Sequence, residues 1–492
     1  MTIAAKSPEL AVKSLFKSQI LINGTWRSLA KSFPVTDPAT GAVIGSVPDA
    51  TVEETTEAIT AAHTAQKKFK HLPGRARGDL LRKWAALVRE NESDLSKILS
   101  WENGKPLAEA KGEVLNSAMT FEWFAEQAVN LCGDTIASQN PNVRLHTIRQ
   151  PVGVCGIITP WNFPSSMLAR KIGAAVAAGC AGVIKPASET PFSALALGAL
   201  AEQAGIPHGI VNIVTTRTNT RAVGQELCTN PLVKKITFTG STPIGKILMA
   251  QAASTMKKTS FELGGNAPFI VFEDANIDDA VAGAMASKFR GSGQTCICAN
   301  RFFVHESVHD EFVEKFTAKV KQLRPGHAFD ATSTQGPLIK QDSIDKVSEH
   351  VEDALAKGGK LVTGGKVLTE LGPNFYAPTI ITNCNPKTMK VFDEETFGPL
   401  AAIAKFSTDE EVIEYANSVT VGLAGYFFTQ NLKRAHLVSE AIEFGMVGIN
   451  TGLITEVSLP FGGIKESGFG RETSKYGLDD YTILKTVSTN VA

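Results

Sequence analysis

The sequence predicts an α/β protein of two lobes, each an open, mostly parallel, twisted sheet covered by helices on both faces. From residue 152 onward, short apolar runs alternate with amphipathic or Ala-rich stretches, which is the pattern of successive strand–helix–strand units. The same alternation starts again near Pro268. The 492 residues also exceed what one hydrophobic core usually serves, so two or three domains are expected.

Leu80, Leu81, Trp84, Leu87, Val88, Leu95 and Leu99 recur at helical spacing and predict one long amphipathic helix over 75–100. The apolar run 152–159 reads as a strand, the Ala-rich stretch 165–179 as a helix and 181–185 as a strand. A helix over 192–204 follows, then strands over 210–214 and 235–239. In the second half, 268–272 reads as a strand and 277–289 and 306–323 as helices. Further strands are expected over 376–381, 401–406, 424–429 and 447–450. The stretch 481–487 alternates apolar and polar residues as an edge strand does, and an unpaired edge favours pairing with a partner chain. Two lobes leave a cleft, a common place for a ligand.

Composition narrows the function classes. Lys+Arg and Asp+Glu both number 49, so there is no net field to draw nucleic acid or an anionic membrane. No apolar run approaches the roughly 18 residues of a membrane span. The seven cysteines (Cys132, Cys155, Cys180, Cys228, Cys296, Cys298 and Cys384) are odd in number and lie mostly among apolar residues, which reads as a reducing compartment. Residues 1–20 carry Lys6, Lys13 and Lys17 but also Glu9 and no Arg, a poor mitochondrial presequence. A cytoplasmic location is expected, with a mitochondrial one as the alternative.

Three segments carry the chemistry. Lys288-Phe-Arg-Gly-Ser-Gly-Gln-Thr-Cys-Ile-Cys-Ala-Asn-Arg301 places the Cys296 thiol after a flexible run that brings backbone N–H groups close to a substrate. A thiolate is a strong nucleophile, and its pKa can be lowered toward neutrality. Phe261-Glu-Leu-Gly-Gly-Asn-Ala-Pro268 offers the Glu262 carboxylate, and Thr159-Pro-Trp-Asn-Phe-Pro164 offers the Asn162 amide. Nucleophile, base and oxyanion donor are thus all available. Taken singly each has a plain alternative: a packed thiol, a solvated strand residue, a turn cap. Thr239-Gly-Ser-Thr-Pro-Ile-Gly-Lys246 nearly spells a nucleotide-binding P-loop, but Ile247 supplies no hydroxyl for Mg²⁺, which counts against an NTPase. It still opens a helix whose N-terminal amides suit a phosphate. Lys185 closes a predicted strand, where open α/β sheets bind ligands.

Together with Phe238-Thr-Gly-Ser241, Glu394-Glu-Thr-Phe-Gly-Pro399 and Pro460-Phe-Gly-Gly-Ile-Lys-Glu-Ser-Gly-Phe-Gly-Arg471, these segments resemble the aldehyde dehydrogenase superfamily over nearly the whole chain. The finer match is similar to its succinate-semialdehyde dehydrogenase branch. The resemblance implies two Rossmann-like lobes with a small β oligomerisation hairpin and tail. Residues 1–131 and 150–261 would form a dinucleotide-binding domain and 262–470 a catalytic domain. Residues 132–149 and 478–492 would join a homodimer or homotetramer.

It implies Cys296 as nucleophile, Glu262 as general base on water and Asn162 with the Cys296 N–H as oxyanion donors. Thiolate addition would give a thiohemiacetal that releases hydride to leave a thioester, which water then opens. Cofactor contacts would come from Thr159, Pro160, Trp161, Lys185, Ser188, Gly224, Phe238, Gly240, Ser241, Leu263, Glu395 and Phe397. Ser188 stands where NAD-preferring members often carry an acid, so NADP is expected to be accepted and preferred, with NAD as the alternative. Arg170 and Arg290, with Thr455 and Phe163, would hold a carboxylate-bearing aldehyde, since Arg matches carboxylate in a bidentate fork. The expected reaction is succinate semialdehyde to succinate, in 4-aminobutyrate breakdown.

Glutarate semialdehyde, one methylene longer, is the nearest alternative substrate. A CoA-acylating reaction is disfavoured by Glu262. A catalytically silent binding protein on the same scaffold is opposed by Cys296, Glu262 and Asn162. A cysteine hydrolase would want a histidine beside the thiol, and no motif ties His305 or His309 to it. Cys298 either packs or forms a reversible disulfide with Cys296 under oxidation. No neighbouring Cys or His completes a zinc set, and no metal is expected.

Overall fold

The computed structural model describes residues 7–492. The leader expected over residues 1–20 therefore lies in part outside the described residues. The fold is α/β, built on two large, mostly parallel sheets with small antiparallel sheets beside them. The first large sheet runs, in spatial order, Thr25–Arg27, Ile20–Ile22, Val211–Ile213, Ala181–Lys185, Val154–Ile158, Val233–Thr239, Lys258–Glu262 and Gly468–Phe469. Its five inner strands are parallel. The second runs Lys360–Thr363, Thr379–Thr382, Leu400–Phe406, Ala299–His305, Ala267–Val271, Ala424–Phe428 and Met446–Ile449. Only its first pair is antiparallel.

The strands Val154–Ile158, Ala181–Lys185 and Val211–Ile213 are buried at every position. A sheet covered on both faces demands this, and it explains why these strands read as continuous apolar runs. The helix Pro164–Ala178 between them is buried along its whole length, so Ala and Gly dominate it.

Two expectations change on folding. Periodicity over 75–100 predicts one helix, but there are two, Gly74–Glu90 and Glu92–Asn103, meeting at Asn91 (φ −103°, ψ 15°). The Asn91 side-chain amide donates to the Leu87 carbonyl at 2.9 Å, a local bond of the kind by which Asn competes with helix continuation. The central strand Ala299–His305 is not predicted, because Arg301 interrupts its apolar run. That guanidinium is buried and donates to the carbonyl oxygens of Asn266 (2.8 Å), Tyr415 (2.8 Å) and Ala416 (2.9 Å).

Several of the expected site residues lie at or just beyond the C-terminal ends of the first sheet's parallel strands. Val154–Ile158 leads into Thr159 to Asn162, Ala181–Lys185 ends on Lys185, and Lys258–Glu262 ends on Glu262. The segment Gly468–Phe469 returns from far along the chain and pairs antiparallel with Phe261 and Glu262. Thr482–Asn490 pairs antiparallel with Val143–Pro151, which also pairs with Thr135–Ile136, and Ile483 and Leu484 of this sheet are exposed. Among the described residues, no helix is long and apolar enough to cross a membrane.

Candidate active site

The Cys296 loop begins with a tight turn. Gly291, Ser292 and Gly293 all have left-handed backbones (φ 60°, 56° and 75°). For Ser292 this costs about 1–3 kcal/mol. Its hydroxyl bond to the Gly336 carbonyl (2.7 Å) helps fix the turn, as does the Gly291 N–H, which donates to both Glu109 carboxylate oxygens at 3.1 Å. Downstream, Cys296 is half-buried. Its backbone comes so close to Gly265 that a Cβ there would lie 2.4 Å from the Cys296 carbonyl oxygen, which accounts for a glycine in that part of the Glu262 segment. Sequence reasoning allows a lowered thiol pKa, but the site has the opposite bias. Burial, then the Glu395 and Glu262 carboxylates, push the thiol well up, and Arg170 opposes them.

Glu262 is 2% exposed, and neither of its oxygens has a hydrogen-bond partner. Burial and then the neighbouring Glu472 raise its pKa well above the ordinary 4.5, against the pull of Lys171, Arg471 and Arg170. An unpartnered, proton-hungry carboxylate at a strand end is what a general base requires. Asn162 is also buried. Its side-chain nitrogen donates to the Gln294 carbonyl at 3.1 Å, and its oxygen accepts from the Phe163 N–H at 3.1 Å. This fixes the amide and leaves one N–H free to donate.

A cavity of about 330 Å³ opens on the thiol and is lined by Cys296, Phe163, Arg170, Arg290, Thr455 and Phe461 among others. The four expected substrate residues thus come together around the Cys296 thiol. Arg170 is 7% exposed, its guanidinium lies 4.5 Å from the Phe461 ring, and its Nε and Nη1 are unpartnered. The Arg290 guanidinium lies 5.8 Å from the Phe163 ring. Neither arginine belongs to an ion pair among the described residues, so the plain alternative of a structural salt bridge finds no partner.

The other expected contacts lie along the ends of the first sheet. Lys185 is buried and its ammonium donates only to the Pro186 carbonyl (3.1 Å), which leaves donors spare, and burial pulls its pKa down to about 8. The Thr159 N–H bonds the Lys185 carbonyl at 3.2 Å, and Pro160 and Trp161 follow, half-buried. Ser188 donates its hydroxyl to Glu189 at 3.1 Å. Gly240 lies over the Phe238 ring, so that a Cβ would come within 2.3 Å of it. Ser241 is the N-cap of the helix Thr242–Ala253 and makes no side-chain cap bond, and the nearby Thr239 hydroxyl is buried without a partner. Leu263 is buried, and a Cβ on Gly245 would lie 2.5 Å from its side chain; a Cβ on Gly224 would lie 3.7 Å from Leu248. Glu395 accepts from the Gly265 N–H at 3.3 Å, and burial raises its pKa to about 8. Phe397 has φ 52° and meets Trp161 edge-on at 5.5 Å. Spare Lys185 donors, an uncapped helix start and the half-buried Glu395 carboxylate fit a dinucleotide's hydroxyls, phosphates and ribose respectively.

Cys298 does not line the thiol cavity. It is 2% exposed and its thiol is directed to the Lys288 carbonyl at 3.4 Å. Sequence reasoning misses Lys105, Glu113, Gln294 and Phe461. The two charged residues stand in polar-looking sequence with no marker that they are buried.

Residues 26–487 match the profile of the aldehyde dehydrogenase family. The chain is 52% identical over 490 residues to the Saccharomyces cerevisiae succinate-semialdehyde dehydrogenase (NADP(+)), covering 99% of this chain and 98% of that protein. With the mitochondrial succinate-semialdehyde dehydrogenase of Homo sapiens it shares 51% over 476 residues, or 96% of this chain and 89% of the other. The crystal structure of succinate-semialdehyde dehydrogenase from Burkholderia pseudomallei superposes with a TM-score of 0.97 at 49% identity, covering 98% of this chain and all of that one. That of an E. coli NADP dependent enzyme superposes at 0.96 and 50% identity, with the same coverage.

Proposed function

This chain belongs to the aldehyde dehydrogenase family, and from that premise we propose that it oxidises succinate semialdehyde to succinate with NAD(P)+. The observation that carries the substrate is the cavity lined by the Cys296 thiol and by two arginines that have no ion-pair partner among the described residues. A carboxylate four carbons from end to end, with an aldehyde at its far end, suits that pairing of charge and nucleophile.

The Cys296 thiol gives up its proton to solvent, and the thiolate sulfur adds to the aldehyde carbon, whose carbonyl π pair becomes the alkoxide. A free carbonyl carbon holds its hydrogen poorly placed for loss as hydride, whereas the tetrahedral alkoxide so formed pushes it out. The Asn162 side-chain N–H and the Cys296 backbone N–H stabilise that alkoxide, preorganised before charge develops. Bound NAD(P)+ supplies the hydride acceptor and a positively charged ring. Glu262 then takes a proton from water, which opens the thioester and frees the carboxylic acid. Lys185, Ser188, Gly240 and Ser241 would hold the adenosine and phosphate end of the cofactor, and Glu395 and Phe397 the nicotinamide ribose. Cys296, Glu262 and Asn162 are the catalytic residues of this reading.

Arg170→Ala tests the substrate. Its kcat/KM for succinate semialdehyde should fall about 100-fold, the worth of charge-assisted hydrogen bonds of roughly 2–3 kcal/mol, while that for hexanal changes less than about threefold. Equal losses on both substrates would remove the assignment. Glutarate semialdehyde differs by one methylene, worth only about 1–3 kcal/mol in a pocket, and belongs in the same assay.

NADP is the preferred cofactor in this reading. Ser188 and Lys185 offer donors to a 2′-phosphate, and the yeast relatives are named for NADP. Glu189 opposes this by occupying the Ser188 hydroxyl. The expected kcat/KM ratio favours NADP by about tenfold, one charge-assisted hydrogen bond. A ratio favouring NAD would overturn the preference. Seven free thiols among the described residues support a reducing, cytoplasmic setting. The exposed strand Thr482–Asn490 supports assembly into a homodimer or homotetramer.

A further inference from the structure

Asn162 lies in a loop beyond a strand end, so something must hold its amide to the accuracy an oxyanion requires. Lys105 lies between the helices Glu92–Asn103 and Leu107–Gln127, and Glu113 lies on the second of them. The Lys105 ammonium donates to Glu113 Oε2 at 2.6 Å and to the Asn162 backbone carbonyl at 2.7 Å, and it stands 4.0 Å from the Phe163 ring. The other Glu113 oxygen accepts from the N–H groups of Ser165 (2.9 Å) and Ser166 (3.2 Å), in the first turn of the helix Pro164–Ala178. The side chains are only 4% and 1% exposed. From the far side the Gln294 carbonyl holds the Asn162 side chain.

A buried ion pair is weak as a source of stability, because its desolvation offsets much of its attraction. Its bonds here converge instead on one short stretch, residues 162–166, and so fix where that stretch sits relative to the helix that bears Glu113. Glu113 also lines the thiol cavity. We infer that Lys105 and Glu113 are positioning residues that set the Asn162 amide for oxyanion stabilisation, which rests on the thiohemiacetal reading above. Neither touches the reacting atoms; both act through Asn162.

Lys105→Met should lower kcat about 100-fold, as loss of one oxyanion donor does. The dissociation constant for NADPH, read by fluorescence titration, should stay within about twofold, because Lys105 bonds Glu113 and Asn162 and none of the residues expected to contact the cofactor. The deuterium isotope effect on kcat with aldehyde-deuterated substrate should rise, since hydride departure becomes the slow step. In an Asn162→Ala background the same substitution should change kcat less than about threefold, because residues acting through one group are not additive. An equal loss in both backgrounds would mark Lys105 as a general packing residue and overturn the inference. Asn162→Ala with undiminished turnover is a different failure, which removes the oxyanion reading and this inference with it. Glu113→Gln keeps an acceptor for the Ser165 and Ser166 amides and serves if Lys105→Met does not fold. It should cost about tenfold alone and less than about threefold without Asn162, and equal costs would again overturn the inference.

Discussion

Cys296→Ser is expected to lower kcat by about 10⁴- to 10⁶-fold, the scale on which loss of a nucleophile acting within a catalytic unit is felt. The hydroxyl would keep the size and place of the thiol. It would lack a nucleophile that ionises anywhere near the working pH, and it would form an ester in place of a readily opened thioester. The structure sharpens this expectation, because the environment does not favour the anion even for sulfur. Burial and two carboxylates raise the thiol pKa, and the opposing pull of Arg170 is the smaller effect. Acylation in the wild-type protein should therefore speed up as pH rises. The measurements are steady-state NAD(P)H formation and mass analysis of a quenched reaction. An acyl adduct on a side chain other than Cys296, or ordinary turnover by the serine variant, would sink the covalent account.

How much of this was legible in the sequence depended on whether a residue's surroundings could be inferred from its neighbours. The buried strand Ala181–Lys185 is bounded in the structure where its apolar run is bounded, because a strand covered on both faces has no reason to alternate. The strand Ala299–His305 was hidden by Arg301, whose charge looks exposed until three backbone carbonyls from distant segments are folded around it. Lys105 and Glu113 were hidden in the same way. Their burial depends on the loop at 162–166, some 50 residues onward, and no local periodicity encodes that approach. The segments to which the chemistry is assigned were legible because each packs several constrained residues together, as in Gly264 and Gly265 beside Glu262. The thiol's bias was not, because it arises first from burial and then from Glu395 and Glu262, which come to Cys296 from other parts of the chain.

Glu262→Gln should separate the two halves of the reaction. Removing a general base typically costs about 10²- to 10⁴-fold, and here the cost should fall on opening the thioester and not on forming it. Mixing enzyme with substrate and cofactor should thus give a rapid burst of one equivalent of NAD(P)H, then a turnover slower by that factor, with the acyl group held on Cys296. Loss of the burst together with the slow phase would place Glu262 in the first half instead, and an unchanged steady rate would remove it from catalysis. The pH dependence follows from the same burial. As the proposed general base Glu262 would work as the carboxylate, and its pKa is raised by desolvation and then by Glu472, so wild-type thioester opening should climb with pH through a value above the ordinary 4.5. The glutamine variant should lack that limb. Stability should move with the opposite sign. A proton held more tightly by the native than by the unfolded chain stabilises fully below the ordinary value, and that contribution is lost as pH rises through the raised one. Glutamine is neutral at every pH and suffers no such loss. Thermal unfolding across this range should therefore show the variant gaining on the wild type as the solution becomes more alkaline, in the same interval where it falls furthest behind in turnover.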